Sequence, residues 1–372
     1  MENHELVLVV GGRKFGGWLD VRVTRGLERA AGDFDIRASQ RWPGLEAHFE
    51  IPEGAPCEIW IGGDKVLTGF VDVIETDRDG NNASISISGR SRTADLVDCS
   101  PDYELPELAG LDLAAVARKV ATPFGIEVDA RETGPVFAVS SANHGETAWK
   151  VIERLARQRQ ILVTDDAEGR LVLTRLAEAR ASDQLRHPSD GLVKIATRRD
   201  SSKRFSEYRV KAQAGGRWSG SAGGAGVPES LAHVEGTFRD EGVTRYRPKT
   251  ILSEGAAKKG GALERAEWEA RRNVGKALRV AATRVGWRQR DGLLWTPNTL
   301  VYCEVPSSKV RGDLALAEVT YRKSAQGTLC DLELAPAEAF TPEPPDSAAG
   351  EGGGGGTLWR GFVKSRRGGA DR

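Results

Sequence analysis

Five histidines, His4, His48, His144, His187 and His233, are the first residues to test for chemistry, because zinc hydrolysis and deamination need imidazoles at close, regular spacing. None of them forms an H-x-x-x-H or H-x-H pair, so a metal enzyme is not expected. Cys57, Cys99, Cys303 and Cys330 form no C-x-x-C pair and read as reduced core thiols. "VLVVGGRKFGG" has the look of a dinucleotide-binding start, but "WLDVRVTR" continues as strand where a pyrophosphate-binding helix should begin. No G-K-[ST] loop or G-x-S-x-G elbow occurs, and the six glycines from Gly215 to Gly226 follow no G-x-G-x-x-G spacing. No catalytic residue, cofactor or metal is therefore assigned. Glycoside hydrolysis asks only for two carboxylates about 5 to 10 Å apart. With 53 acidic residues that test is uninformative, although Asp291 and Glu304 are the pair to inspect. Trp42, Trp60, Trp287 and Trp295 offer faces on which sugar rings could stack, which keeps a carbohydrate-binding or peptidoglycan-cleaving role open as an alternative.

The chain that must position any such residues has 372 of them, enough for two or three domains. Lys+Arg and Asp+Glu balance at 53 each, so no global field draws in nucleic acid or an anionic membrane. "MENHELVLVVGG" lacks the basic start and long apolar core of a signal peptide, and no run of apolar residues is long enough for a membrane anchor. Cytoplasmic synthesis is expected.

Residues 1–100 read as strand after strand, with "LVLVV", "WLDVRVT", "DFDIRAS", "CEIWI", "KVLTGFVDVIET" and "ASISIS" broken by Gly11-Gly12, Gly62-Gly63-Asp64 and Asp79-Gly80-Asn81. Residues 101–185 change character. Leu113, Val116, Ala117 and Val120 share one helical face ended by Pro123 and Gly125, and Ala148, Ile152, Leu155 and Ala156 share another, with Trp149 near it as a core residue. "ILVTDDAEGRLVLT" then forms a hairpin. A second β domain is expected over 186–213 and 278–340. It is interrupted at 214–277 by a Gly-rich loop and a charged helix with Leu263, Ala266, Ala270 and Val274 on one face. Residues 341–372 form a Pro/Gly linker and a basic tail in which Trp359, Phe362 and Val363 are candidate docking residues.

Within the second β region, "VGWRQRDGLLWTPNTLVYCEVP" is expected to be the hairpin joining "LRVAATRVGW" to "LVYCEVP". Its Trp287 and Trp295 either close a core or anchor another chain. "CEIWI…VLTGFVDVIET…ASISIS" and "LVYCEV…LALAEVTYRK…TLCDLEL" also share a three-strand rhythm, which would mean two copies of one β domain flanking inserted material.

Five segments in this order, "VLTGFVDVIE", "SISGRSRTADLVDCS", "VARKVATPFGIEV", "GETAWKVIERLARQRQILVTDDAEGRLVLTR" and "GWRQRDGLLWTPNTLVYCEVP", resemble the baseplate hub protein of Mu-like contractile-tailed phages, the tail protein P family. The resemblance spans roughly residues 5 to 340 and is carried by segment order, with "SGRSRTADLVDCS" its most distinctive part. It implies an α+β, β-rich chain with two small tube-like β-barrel domains, acting as a structural protein and not an enzyme. It further implies a homotrimeric ring in the virion tail baseplate, assembled in the host cytoplasm. Its partners would be the hexameric tail tube, the central spike and other baseplate proteins, without specific nucleic-acid binding.

Overall fold

The computed structural model describes residues 5–39, 51–78, 83–101, 108, 110–137, 145–176, 179–188, 191–213, 233–252 and 259–341. The Gly-rich stretch 215–226, Trp42 and the tail with Trp359, Phe362 and Val363 lie outside them.

Alternating burial builds the first β region. It comprises β1 (Leu6–Val10), β2 (Arg13–Phe15), β3 (Asp20–Gly26), β4 (Asp33–Ser39), β5 (Pro56–Ile61), β6 (Asp64–Arg78) and β7 (Ala83–Ser91). In β1 the odd-one-out rhythm of "LVLVV" buries Leu6, Leu8 and Val10. Gly11 and Gly12, both at positive φ, turn β1 into β2. The 15-residue β6 is bent by a register slip between Val71 and Val73. There it presses on β7 so closely that a Cβ on Gly69 would stand 1.9 Å from the Arg90 carbonyl oxygen.

An α+β unit follows, made of α1 (Ala94–Asp98), α2 (Leu113–Ala121), β8 (Val128–Ala130), α3 (Ala148–Gln158), β9 (Leu162–Asp165) and β10 (Leu171–Thr174). The Asp112 carboxylate accepts the Ala115 N–H at 2.7 Å to start α2, and Thr147 caps α3 in the same way. Gly125, at positive φ, closes the turn after α2. The two helical faces foreseen from spacing are buried together over the β8-β10-β9 sheet, with Trp149 half-buried against them.

The remaining elements are β11 (Leu185–Arg186), β12 (Leu192–Arg199), β13 (Glu207–Gln213), β14 (His233–Arg239), β15 (Pro248–Leu252), α4 (Lys259–Lys276), β16 (Leu278–Val285), β17 (Leu300–Val305), β18 (Val310–Ser324) and β19 (Gly327–Ala335). Thirteen strands from both β regions form one sheet, joined where β18 pairs antiparallel with β3. Its apolar side is one continuous buried cluster that runs from Leu6 through Ile59 and Val301 to Leu334. In the first half the strands lie in the order β1-β5-β6-β7-β4-β3, and in the second β11-β17-β18-β19-β16-β12. With the short strand β2, which pairs with β1 at the end of the first half and has no counterpart in the second, set aside, the two orders match by rank along the chain. β1 is antiparallel to β5 and β11 parallel to β17, which is where they differ in direction. Like β6, the 15-residue β18 carries a register slip, between Leu316 and Glu318.

Three expectations from sequence need correction. The segment "LRVAATRVGW" and the segment "LVYCEVP" do not form a hairpin: β16 pairs with β12 and β19, and β17 with β18 and β11, so the connection passes over the β18–β19 hairpin. Strand β13 was expected in the second β domain but is the centre of a separate sheet, β14-β13-β15, so the inserted unit begins before residue 214. On α4 the buried stripe is Ala262, Ala266 and Ala270, packed on Tyr208 and Val210, while Leu263 and Val274 are exposed. Close approach explains the small residues, because a Cβ on Gly236 of β14 would sit 2.2 Å from the Leu263 nitrogen.

Candidate functional site

The connection between β16 and β17 carries both tryptophans, and its geometry follows from where each indole goes. Trp287 is fully buried, and its Nε1 donates to the carbonyls of Leu329 at 2.9 Å and Arg322 at 3.1 Å. Its ring meets Tyr321 edge to face at 6.2 Å. The Tyr321 hydroxyl donates in turn to the Trp295 carbonyl, and burial pushes that phenol well above its ordinary pKa. Trp295 is equally buried, with the Arg284 guanidinium 5.6 Å from its ring centre. Between them Gly292, at positive φ, makes the turn, and the Asp291 carboxylate accepts the Leu293 N–H at 3.1 Å. Arg288 reaches across to the first β region, donating to the Ile61 carbonyl at 2.9 Å and pairing with Asp64.

This arrangement seals the interior of the sheet and leaves no ring face for a sugar. Trp287 and Trp295 cannot stack on a glycan while both are at 0% exposure. Trp60 is half-buried, with Nε1 on Glu58 and Lys65 over its ring at 5.2 Å. Glu304 pairs with Arg186 and Arg311, and Asp291 with its own turn, so the two carboxylates serve different partners. Cys57, Cys303 and Cys330 are buried free thiols, but Cys99 is exposed, contrary to its reading as a core residue. It follows the last residue of α1, where the chain leaves the α+β core. Among the described residues no group of three or more His, Cys, Asp or Glu is placed to hold a metal ion, and no helix is long and apolar enough to cross a membrane.

Sequence motifs did not point to two junctions that the structure brings together. At β3·β18, Arg29 bridges Glu318 and Asp33, and Arg22 reaches Asp33 at 2.9 Å. Burial works against the Arg29 charge, but Glu318 and Asp33 outweigh it and hold the guanidinium above its ordinary pKa. The α+β unit docks through the β9–β10 turn. Buried Asp165 accepts the Gly32 N–H at 3.0 Å, Thr68 donates to the Ala167 carbonyl at 2.8 Å, and Lys65 pairs with Glu168 at 2.7 Å. Apart from "SGRSRTADLVDCS", whose Ser91 hydroxyl also accepts from Gly32, nothing at these junctions has a local signature.

Residues 5–91 match the N-terminal model of the Mu phage baseplate assembly protein GpP-like family. Residues 93–175 match the second domain of the baseplate hub protein gp44-like family, and residues 258–343 the fourth domain of the GpP family. The chain is 32% identical over 358 residues to baseplate hub protein gp44 of Escherichia phage Mu, covering 94% of this chain and 93% of that one. Among solved structures, the 43 kDa tail protein of prophage MuSo2 from Shewanella oneidensis superposes with a TM-score of 0.79 at 31% identity, covering 91% of this chain and all of that one. A tail protein from Neisseria meningitidis shares the fold, with a TM-score of 0.73 at 21% identity over 92% of this chain and 99% of that one.

Proposed function

The chain belongs to the Mu-type phage baseplate hub family, and from that premise we propose that three copies form a ring adapting a hexameric tail tube to a central spike. It is a structural protein of a phage tail baseplate, not an enzyme. The observation that carries the finer reading is the shared strand order of the two halves of the large sheet. A cyclic trimer presents three equivalent contacts to a hexameric ring. Subunits with two similar β units present six. Closure of the second unit supports a tube-like shape: the Thr197 hydroxyl of β12 donates to Ser308, at the turn between β17 and β18, at 2.6 Å, and Arg199 donates to the Ser308 carbonyl at 2.9 Å.

On this reading residues 1–100 and the β11, β12 and β16–β19 strands are the two tube-like units, and residues 101–185 buttress them. Trp287 and Trp295 seal the second unit, and the inserted sheet with α4 stands outside the ring. Trp359, Phe362 and Val363 dock a partner such as the spike. Electron cryo-microscopy of assembled tails tests it. The expected map has three copies whose halves are related by about 60° around the tail axis. A hub with a different copy number, or halves with no such relation, overturns the reading.

A further inference from the structure

Strand β18 uses its two ends differently. Residues Val310–Ala315 pair with β17 on the outer side, and beyond the bulge Glu318–Lys323 pair instead with β3. Strand β6 begins in the same way, with Asp64–Phe70 paired to β5. Past its bulge, however, Val73–Asp77 pair with β7 on one side and with no strand on the other among the described residues. Among the described residues strand β12, which holds in the second half the place that β3 holds in the first, pairs with β16 alone. It is eight residues long and without proline, so its outer row of N–H and C=O groups is a template for another strand.

We infer that the outer edge of β6 at Val73–Asp77 pairs antiparallel with the edge of β12 in a second copy of this chain, repeating between subunits the β18·β3 joint found within each one. The inference rests on the ring proposed above and names the surface that closes it. The internal joint also sets the register. Glu318, the first residue past the bulge of β18, faces Gly26, and Arg322 faces Arg22. Val73 is the corresponding residue of β6, because Val73 pairs with Ser88 as Glu318 pairs with Glu333. Thr24 and Arg198 correspond, because Thr24 pairs with Asp33, Arg198 with Arg279, and Phe34 and Val280 sit at the equivalent next positions. Carried over, Glu75 faces Arg198, Thr76 faces Thr197 and Asp77 faces Ala196, with Lys194 one diagonal step away.

Charge agrees with this register. This stretch of β6 contributes Glu75 and Asp77, both exposed, and β12 contributes Arg198 and Lys194, both exposed. Opposite charges therefore meet across the new joint at the position where the internal joint has the Thr320–Thr24 hydrogen bond. Arg198 is already paired with Asp200 at 3.0 Å but keeps 78% of its side chain exposed, so it can turn to a partner without leaving a buried charge behind. Ile74, half-buried against the core cluster, continues the apolar side of the sheet toward the neighbour. Each chain thus offers one acidic edge and one basic edge, a head-to-tail contact that builds a closed ring and not a twofold dimer.

Disulfide trapping in assembled tails tests the joint, in a Cys99→Ser background that removes the exposed thiol. Directly opposed residues of an antiparallel pair lie within disulfide reach. The expected result for Glu75→Cys with Arg198→Cys in one chain is a non-reducing ladder that ends at three chains, with neither single variant crosslinking. Tails with a three-copy hub but no crosslink overturn the edge pairing and leave the ring standing. Tails whose hub has another copy number overturn the ring reading itself. Should the cysteine variant not assemble, charge reversal decides. Glu75→Arg is expected to lower the yield of tails about tenfold, as like charges face each other at every joint. Adding Arg198→Glu is expected to restore it, and failure of that rescue overturns the joint.

Discussion

Trp287 and Trp295 are the two largest fully buried side chains among the described residues, yet they are held by different forces. Trp287 donates to two carbonyls, whereas no acceptor among the described residues reaches Nε1 of Trp295. Replacing either by alanine is expected to cost about 3 to 5 kcal/mol. Phenylalanine separates them. Trp287→Phe removes two hydrogen bonds to carbonyls and is expected to cost about 1 to 3 kcal/mol more than Trp295→Phe, which removes a donor that meets no acceptor among the described residues. Denaturant unfolding of the four variants measures this, and equal costs for the two phenylalanine variants would refute the hydrogen-bond account. The cysteines give a second residue-scale expectation. Burial pushes Cys57 up to about 12 and Cys303 up to about 11, and Cys330 higher still, so at pH 8 these thiols are protonated as well as shielded. One thiol per native chain, Cys99, should react with a thiol reagent, and four after unfolding.

At the scale of elements, the inserted sheet is held to α4 by closeness more than by bulk. Gly236→Ala would drive a methyl into the backbone at Ala262 and Leu263, and the expected overpacking cost is about 1 to 3 kcal/mol. Hydrogen exchange should show β14 and α4 losing protection while β16 to β19 keep theirs, since these parts share no core cluster. Uniform loss across both would mean that the unit is not separately stabilised. The same closeness explains why the α4 face was misread. Apolar spacing ranks Leu263 and Val274 above alanines, but a helix lying against a glycine strand can bury only small side chains. Alternation was enough to find nearly every strand of the large sheet, because each shows one face to the core. It was not enough to say which strands pair. "FSEYRVKAQ" reads alike at the centre of a small sheet or in a large one, and the β16–β17 connection passes over a hairpin that follows it in the chain. Burial of the tryptophan loop was legible as one of two options, and the Arg288 and Arg29 bridges were not, since their partners lie 224 and 289 residues away in sequence.

At the scale of the whole molecule, everything from Leu6 to Phe340 that builds the large sheet precedes the "TPEPPDSAAGEGGGGG" linker. Truncation after Ala349 is expected to leave expression and melting temperature unchanged while weakening attachment of the spike in assembled tails. Loss of soluble protein on truncation would show that the tail belongs to the fold. The joint between the halves has a further consequence. Thr24 and Thr320, which meet there, are 296 residues apart in sequence. At about 5 to 20 residues per second, a ribosome needs about 15 to 60 s to deliver β18 after β3 has emerged. Throughout that interval the nascent chain carries β3 with one bare edge, next to Val21 and Val23. Arg22 alternates with those valines and Arg25 follows them near the strand end, and their charge guards the strand against the wrong neighbour while the chain waits for its own last strands.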